Sequence, residues 1–152
     1  MIGVLFLLSS CTQNSSDTSA TVYPTLKDVT DKTSCQGVPM PNATIFGTWT
    51  QNYSGDFVSV LYTFKVEATQ TTVSATCTPN KAASVTVSVT VASAVAGNQL
   101  AILAENSNLS SMVIDGKTFD CEVDALVNTF TFAFAGNCLV LNNKGSLAYL
   151  IP

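Results

Sequence analysis

Arginine and histidine are both absent from this chain, and its six basic residues are all lysine. Without an imidazole there is no His general base, no Ser-His or Cys-His nucleophile pair and no His ligand for zinc. Charge of either sign is scarce: 11% of residues are charged, against about a quarter in an average soluble protein. The net charge of −4 and a pI near 4.4 argue against nucleic acid, whose phosphates select a basic surface. No apolar run approaches the roughly 20 residues that a membrane-spanning helix needs. What fills the 152 residues instead is 20 Thr, 17 Val and 16 Ser. β-Branched side chains fit a pleated, half-buried surface, so this composition favours strands. The length allows one domain with one core.

The amino end reads as an address. Residues Ile2 to Leu8 are apolar and run into Leu8-Ser9-Ser10-Cys11, followed by the polar Thr12-Gln13-Asn14-Ser15-Ser16. This order resembles a bacterial lipoprotein signal, in which the cysteine thiol receives a diacylglycerol and the chain is cut just before it. Only Met1 precedes the apolar run, where a secretory signal normally opens with Lys or Arg, which points to a start further upstream. The resemblance implies residues 1–10 as signal peptide, acylation at Cys11, and a mature chain held to a membrane by that lipid. Thr12 rather than Asp after the cysteine favours the outer membrane of the cell envelope, by analogy with enterobacterial sorting. Residues 11–43, rich in Ser, Thr, Asn and Asp and carrying Pro24, Pro39 and Pro41, read as a tether.

Four further cysteines remain: Cys35, Cys77, Cys121 and Cys138. In an exported domain four cysteines suggest two disulfides, with three possible connectivities. Metal binding is the rival, and it is disfavoured because no pair has C-x-x-C spacing and there is no His. A strand count puts Cys77 and Cys138 at one end of the domain and Cys35 and Cys121 near the other. The expected pairs are therefore Cys77–Cys138 and Cys35–Cys121.

From Thr44 onward the hydrophobic period is two. In Phe57 to Glu67, Val58, Val60, Tyr62, Phe64 and Val66 share one face. Ser84 to Val91 alternates Val with Ser or Thr throughout, and Thr129 to Phe134 places Phe130, Phe132 and Phe134 together. Weaker runs cover Ile45 to Gln51, Thr72 to Thr78, Gln99 to Ala104, Phe119 to Val123, Cys138 to Leu141 and Leu147 to Ile151. Turn chemistry separates them, including Gly97-Asn98, Asp115-Gly116-Lys117, Gly136-Asn137 and Lys144-Gly145. Eight or nine short strands read as an all-β antiparallel up-and-down meander over residues 44–152. Closure into a barrel removes its edges, with a sandwich as the alternative.

Gly47-Thr48-Trp49 at the opening of the first strand resembles the lipocalins, particularly lipocalin-like domains of bacterial lipoproteins. The Phe-alternating strand, the tight turn at Gly136-Asn137 and Leu139-x-Leu141 support the resemblance. It implies that Gly47 bends the chain into the barrel and that Trp49 plugs its closed end. It also implies a small apolar ligand in the open end, although no binding residue of the family carries over by motif; the alternation is what turns Tyr62, Phe64, Phe130, Phe132 and Phe134 inward, to line or fill the interior. Lipocalins pack an Arg over that Trp, and this chain has none. The same three Phe rings could instead fill the interior, leaving an interaction or inhibitor module of the envelope.

Other constellations are weaker. Asp120, Glu122 and Asp124 alternate, with Asp115 just before them; they could hold Ca²⁺ loosely, but a solvated acidic face is the simpler reading. Asp56 beside Ser54-Gly55, and Glu67 beyond Lys65, occupy turn and surface positions, so no enzyme and no catalytic residue is expected. No cofactor or metal is expected, and the chain reads as a monomer. The Asn-x-Ser/Thr triplets at Asn14, Asn42, Asn52 and Asn108 fit chance in so Ser/Thr-rich a sequence. The Ser/Thr faces show no fixed repeat that would build a flat binding array.

Overall fold

The computed structural model describes Cys35 and residues 43–152. Cys11, expected to carry the lipid, and the rest of residues 1–34 and 36–42, expected as signal and tether, lie outside the described residues. The described chain forms ten strands: β1 (Gly47–Ser54), β2 (Val58–Val66), β3 (Gln70–Pro79), β4 (Val85–Ala96), β5 (Gln99–Ile102), β6 (Asn106–Ile114), β7 (Lys117–Ala125), β8 (Asn128–Ala135), β9 (Cys138–Asn143) and β10 (Ser146–Leu150).

All pairings are antiparallel. Eight strands form one sheet in the order β1-β2-β3-β4-β5-β8-β9-β10, while β6 and β7 pair only with each other. The two edges of the large sheet meet where Thr50 N donates to Ile151 O (2.7 Å) and Ile151 N donates to Thr50 O (2.9 Å). The meander is thus nearly closed into a barrel. Its inner rows are those the period-two pattern selects: Trp49 faces Phe64, Phe64 faces Val73, and Val73 faces Val89 around the wall. The outward row of β2 is polar except for Leu61, so burial drives closure with little hydrophobic surface left on that wall.

One segment departs from a simple meander. Ile102 of β5 faces Asn128 of β8, and Asn106 of β6 faces Ala125 of β7. Residues 103–105 on one side therefore oppose residues 126–127 on the other, an excess of one residue. The two ladders are a single long hairpin, out along β5–β6 and back along β7–β8, interrupted by this bulge. An extra residue on one strand bends the pair. Beyond the bend, Cys121, Val123 and Ala125 turn inward and are wholly buried. Cys121 Sγ lies 3.8 Å from Ala75 O and 3.7 Å from Val85 O, against the inner side of β3 and β4. Asn108 Nδ2 donates to Ser88 O (3.1 Å), along the stretch of β4 that β5 leaves unpaired.

The disulfide pairing differs from the sequence expectation. Cys35 bonds Cys138 and Cys77 bonds Cys121; the expected Cys77–Cys138 and Cys35–Cys121 pairs are not formed. The strand count assumed that every strand runs the full height of one meander. The bend instead returns Cys121 to the level of Cys77, which leaves Cys138 for Cys35. The eight strands of the large sheet agree with the expected eight or nine, and β6 is a further strand that none of the period-two runs covers.

Candidate functional site

The inner rows define one candidate, the barrel interior. Gly47 adopts φ +139°, a conformation that favours glycine, and no neighbouring atom lies where its Cβ would be. Its requirement is therefore backbone freedom at the entry to β1 rather than close approach. Trp49 follows, 4% exposed, with Nε1–H donating to Ile45 O at 2.8 Å. That bond satisfies the indole as burial requires. The ring beside Trp49 is Phe134, with centroids 5.9 Å apart, and Phe132 meets Phe134 edge-on at 6.1 Å. An aromatic chain thus packs here, with Phe134 rather than a cation against the Trp.

Of the five residues expected to line a ligand space, Tyr62, Phe64 and Phe130 are buried in the core. Phe132 and Phe134 point inward from the β8–β9 side, opposite Leu141 and Leu139, and are half-buried. Val73, Ala75, Leu139 and Leu150 on the surrounding walls are at 0% exposure, so no water-sized space touches them. Side chains from both walls meet in one continuous core cluster that includes Cys121, Val123 and Ala125 of the bent hairpin.

Four polar residues interrupt this interior: Thr71 and Ser93, whose hydroxyls bond each other at 2.8 Å, and Gln51 and Asn143, neither of which is singled out in the sequence. Gln51 is 6% exposed and Asn143 is 1% exposed. Gln51 Nε2 and both amide atoms of Asn143 are buried without a hydrogen-bond partner. Gln51 falls in the inward row with Trp49 and Tyr53, and Asn143 in the row with Leu139 and Leu141; that break in an apolar row is the available signal.

The disulfides fasten the two ends of the barrel. Cys138 faces Ala135 next to the Phe134–Leu139 pair, so Cys35 is tied at the Trp49 end. Cys77 faces Val60, while Trp49 faces Phe64 four residues further along β2, roughly 13 Å away at strand rise. Cys77–Cys121 therefore holds the bent hairpin over the opposite end.

The outer side of that hairpin is the second candidate. Register places Leu109 opposite Glu122, Ser111 opposite Asp120, and Val113 opposite Thr118, all on the face away from the core. Leu109 is 49% and Val113 69% exposed. Asp120, Glu122 and Asp124 share this face as the sequence alternation implies. Asp120 is nearly buried and accepts from Ser111 Oγ. Burial, and then the neighbouring Asp124 and Asp120 charges, push the Glu122 carboxyl above its ordinary range. The three carboxylates spread along the strand; among the described residues no group of three or more His, Cys, Asp or Glu side chains is placed to hold a metal ion.

The remaining polar candidates are exterior. Asn80 Nδ2 donates to Asp56 O, pinning the β1–β2 turn to the β3–β4 turn. Glu67 pairs with Lys65 at 2.8 Å and accepts from Gln70 Nε2 at 2.7 Å, on an exposed turn. Cross-strand register lines up the outer hydroxyls despite the absence of a sequence repeat, pairing Thr72 with Thr90 (2.8 Å), Thr76 with Thr86 (2.9 Å) and Thr78 with Ser84 (3.0 Å). These hydroxyls satisfy one another, as the polar exterior of a sheet does.

No protein family, curated protein or solved structure matches the chain.

Proposed function

We propose that this protein is a lipid-anchored module of the cell envelope, with a filled lipocalin-like barrel that works through a protein contact made by its surface. The observation that carries the reading is the packed interior. Most inward residues of facing walls are at or near zero exposure, with Phe132 and Phe134 half-buried, and a disulfide-held hairpin packs on β3 and β4 at the end opposite Trp49. A barrel that carries a drug-sized molecule needs roughly 300 Å³ or more of open space. The reading assigns the protein no catalytic step, no cofactor and no nucleic acid. It takes the protein to be monomeric, held to a membrane, with the outer membrane favoured, by a lipid on Cys11.

Native mass spectrometry of the disulfide-bonded chain tests the central claim. A mass with no small-molecule adduct is expected. An apolar compound that stays bound in the native spectrum and leaves on denaturation would overturn it. The anchor is tested by feeding cells an alkyne fatty acid: label should be incorporated into the wild type and lost in Cys11→Ala.

A second reading, carriage of a small apolar ligand within the barrel, is favoured by Gln51 and Asn143. A buried amide without a partner costs about 1–3 kcal/mol. A ligand with a neutral hydrogen-bonding head would satisfy both groups once neighbouring side chains moved to admit it.

A further inference from the structure

We infer that the outer face of the β6–β7 hairpin is the surface through which the protein acts, and that it docks a cationic protein segment bearing apolar side chains; this rests on the filled-barrel reading above. Two independent features coincide on this one element. The first is exposed apolar surface. Ten large apolar side chains are exposed among the described residues; Leu109 and Val113 are on the outer face of β6, and Leu103, Leu126 and Val127 are in the bulge at the root of the hairpin. Apolar side chains concentrated in this way mark contact sites more often than single scattered ones do.

The second feature is charge. The same segment holds five of the ten acidic residues and one of the six lysines, so it carries a charge of −4. That equals the net charge of the whole chain, and the rest of the molecule is balanced. Leu109 stands directly opposite Glu122, with Asp124 next along β7, while Asp120 is buried and held by Ser111. This juxtaposition of apolar and anionic groups complements a partner in which Lys or Arg accompanies Leu, Val or aromatic side chains. It repels nucleic acid and anionic lipid alike. The hairpin is also held in place by Cys77–Cys121, so its face is presented ready-made and little ordering remains for binding to oppose.

The test uses the full disulfide-bonded chain and two short fluorescent peptides, one alternating Leu with Lys and the other Leu with Glu. Fluorescence anisotropy should show saturable binding of the Lys peptide and none of the Glu peptide. Two exposed double variants interrogate the face: Leu109→Ser with Val113→Thr, and Glu122→Gln with Asp124→Asn. Each should weaken the Lys peptide about tenfold while leaving both disulfides intact by mass. Raising salt from about 0.05 to about 0.5 M should weaken the wild type far more than the charge variant. Wild-type affinity in both variants, or no binding of the Lys peptide by the wild type, would overturn the inference. The filled-barrel reading would survive either result so long as the native spectrum stays free of adduct. A bound apolar ligand in that spectrum would instead remove the reading itself.

Discussion

Replacing both Cys77 and Cys121 by alanine should release the hairpin before it unfolds the barrel. The bridge spans 44 residues, and chain-entropy arithmetic for a loop of that length gives about 4 kcal/mol. At about 4 °C per kcal/mol for a domain of this size, the melting temperature should fall by roughly 15 °C. The local consequence is the sharper one. Cys121 is wholly buried among the inner residues of β3 and β4, and β6 and β7 form no strand pairing with the large sheet, which they reach through β5 and β8. Hydrogen exchange read by mass spectrometry should show β6 and β7 amides losing protection in C77A/C121A while β1 to β3 keep theirs. The matching variant C35A/C138A removes a 103-residue connection, worth about 4.7 kcal/mol by the same arithmetic, and should leave hairpin exchange unchanged. A drop in melting temperature of similar size without selective exchange in residues 106–125 would refute the claim that the bridge fastens this element. A non-reducing peptide map linking Cys77 to Cys138 would refute the connectivity.

Gly47→Ala should cost about 1–3 kcal/mol in urea unfolding, because φ +139° strains any side-chain-bearing residue although the space is free; an unchanged midpoint would show that the entry to β1 relaxes. Asn143→Leu should leave stability unchanged or raise it by about 1–2 kcal/mol, since it removes a buried amide that has no partner. A clear loss of stability would reveal a partner for that amide and strengthen the ligand-carrier reading. Glu122 has its pKa raised in the folded state, so its ionised form opposes folding above that value and the penalty is absent below the unfolded value. Glu122→Gln should therefore raise the melting temperature at neutral pH, with the gain vanishing as the pH falls through about 4.5. A gain that persists in acid would show that packing, not charge, is responsible.

Much of the barrel was legible because period two is a local property. Val58 to Val66 and the valines of β4 announce their inner face residue by residue, and the closing bridge at Thr50 and Ile151 follows from a meander that must hide its edges. β6 was not legible in this way. Asn106–Ile114 puts Asn, Ser and Met on its inner side and Leu, Ser and Val on its outer side, so hydropathy does not separate the faces. The signal that marks it is the turn. Asp115 (φ 50°) and Gly116 (φ 75°) form the two-residue connection that Asp-Gly favours between paired strands, and a strand after such a turn implies one before it. The disulfides failed for a related reason, since the residue inserted between Ile102 and Asn106 redirects everything beyond it, and no local pattern announces a bulge. The acidic row was visible, but its apolar partners Leu109 and Val113 are brought to it only by cross-strand register.

The distribution of charge makes the bend consequential for function. Outside residues 103–127 the chain has five acidic residues and five lysines, so its net charge of −4 equals that of this one segment. Within about a Debye length, beyond which salt screens it, this concentration of negative charge draws cations toward the hairpin at one end of the barrel. Cys35 is tied to the other end, beside Phe134 and Trp49. A straight β5–β8 ladder would have projected the same acidic and apolar side chains on a two-stranded ribbon, and a ribbon of that kind is marginal alone in water. Folding it back lets Cys121, Val123 and Ala125 join the core, so the burial that stabilises the ribbon also presents its outer face.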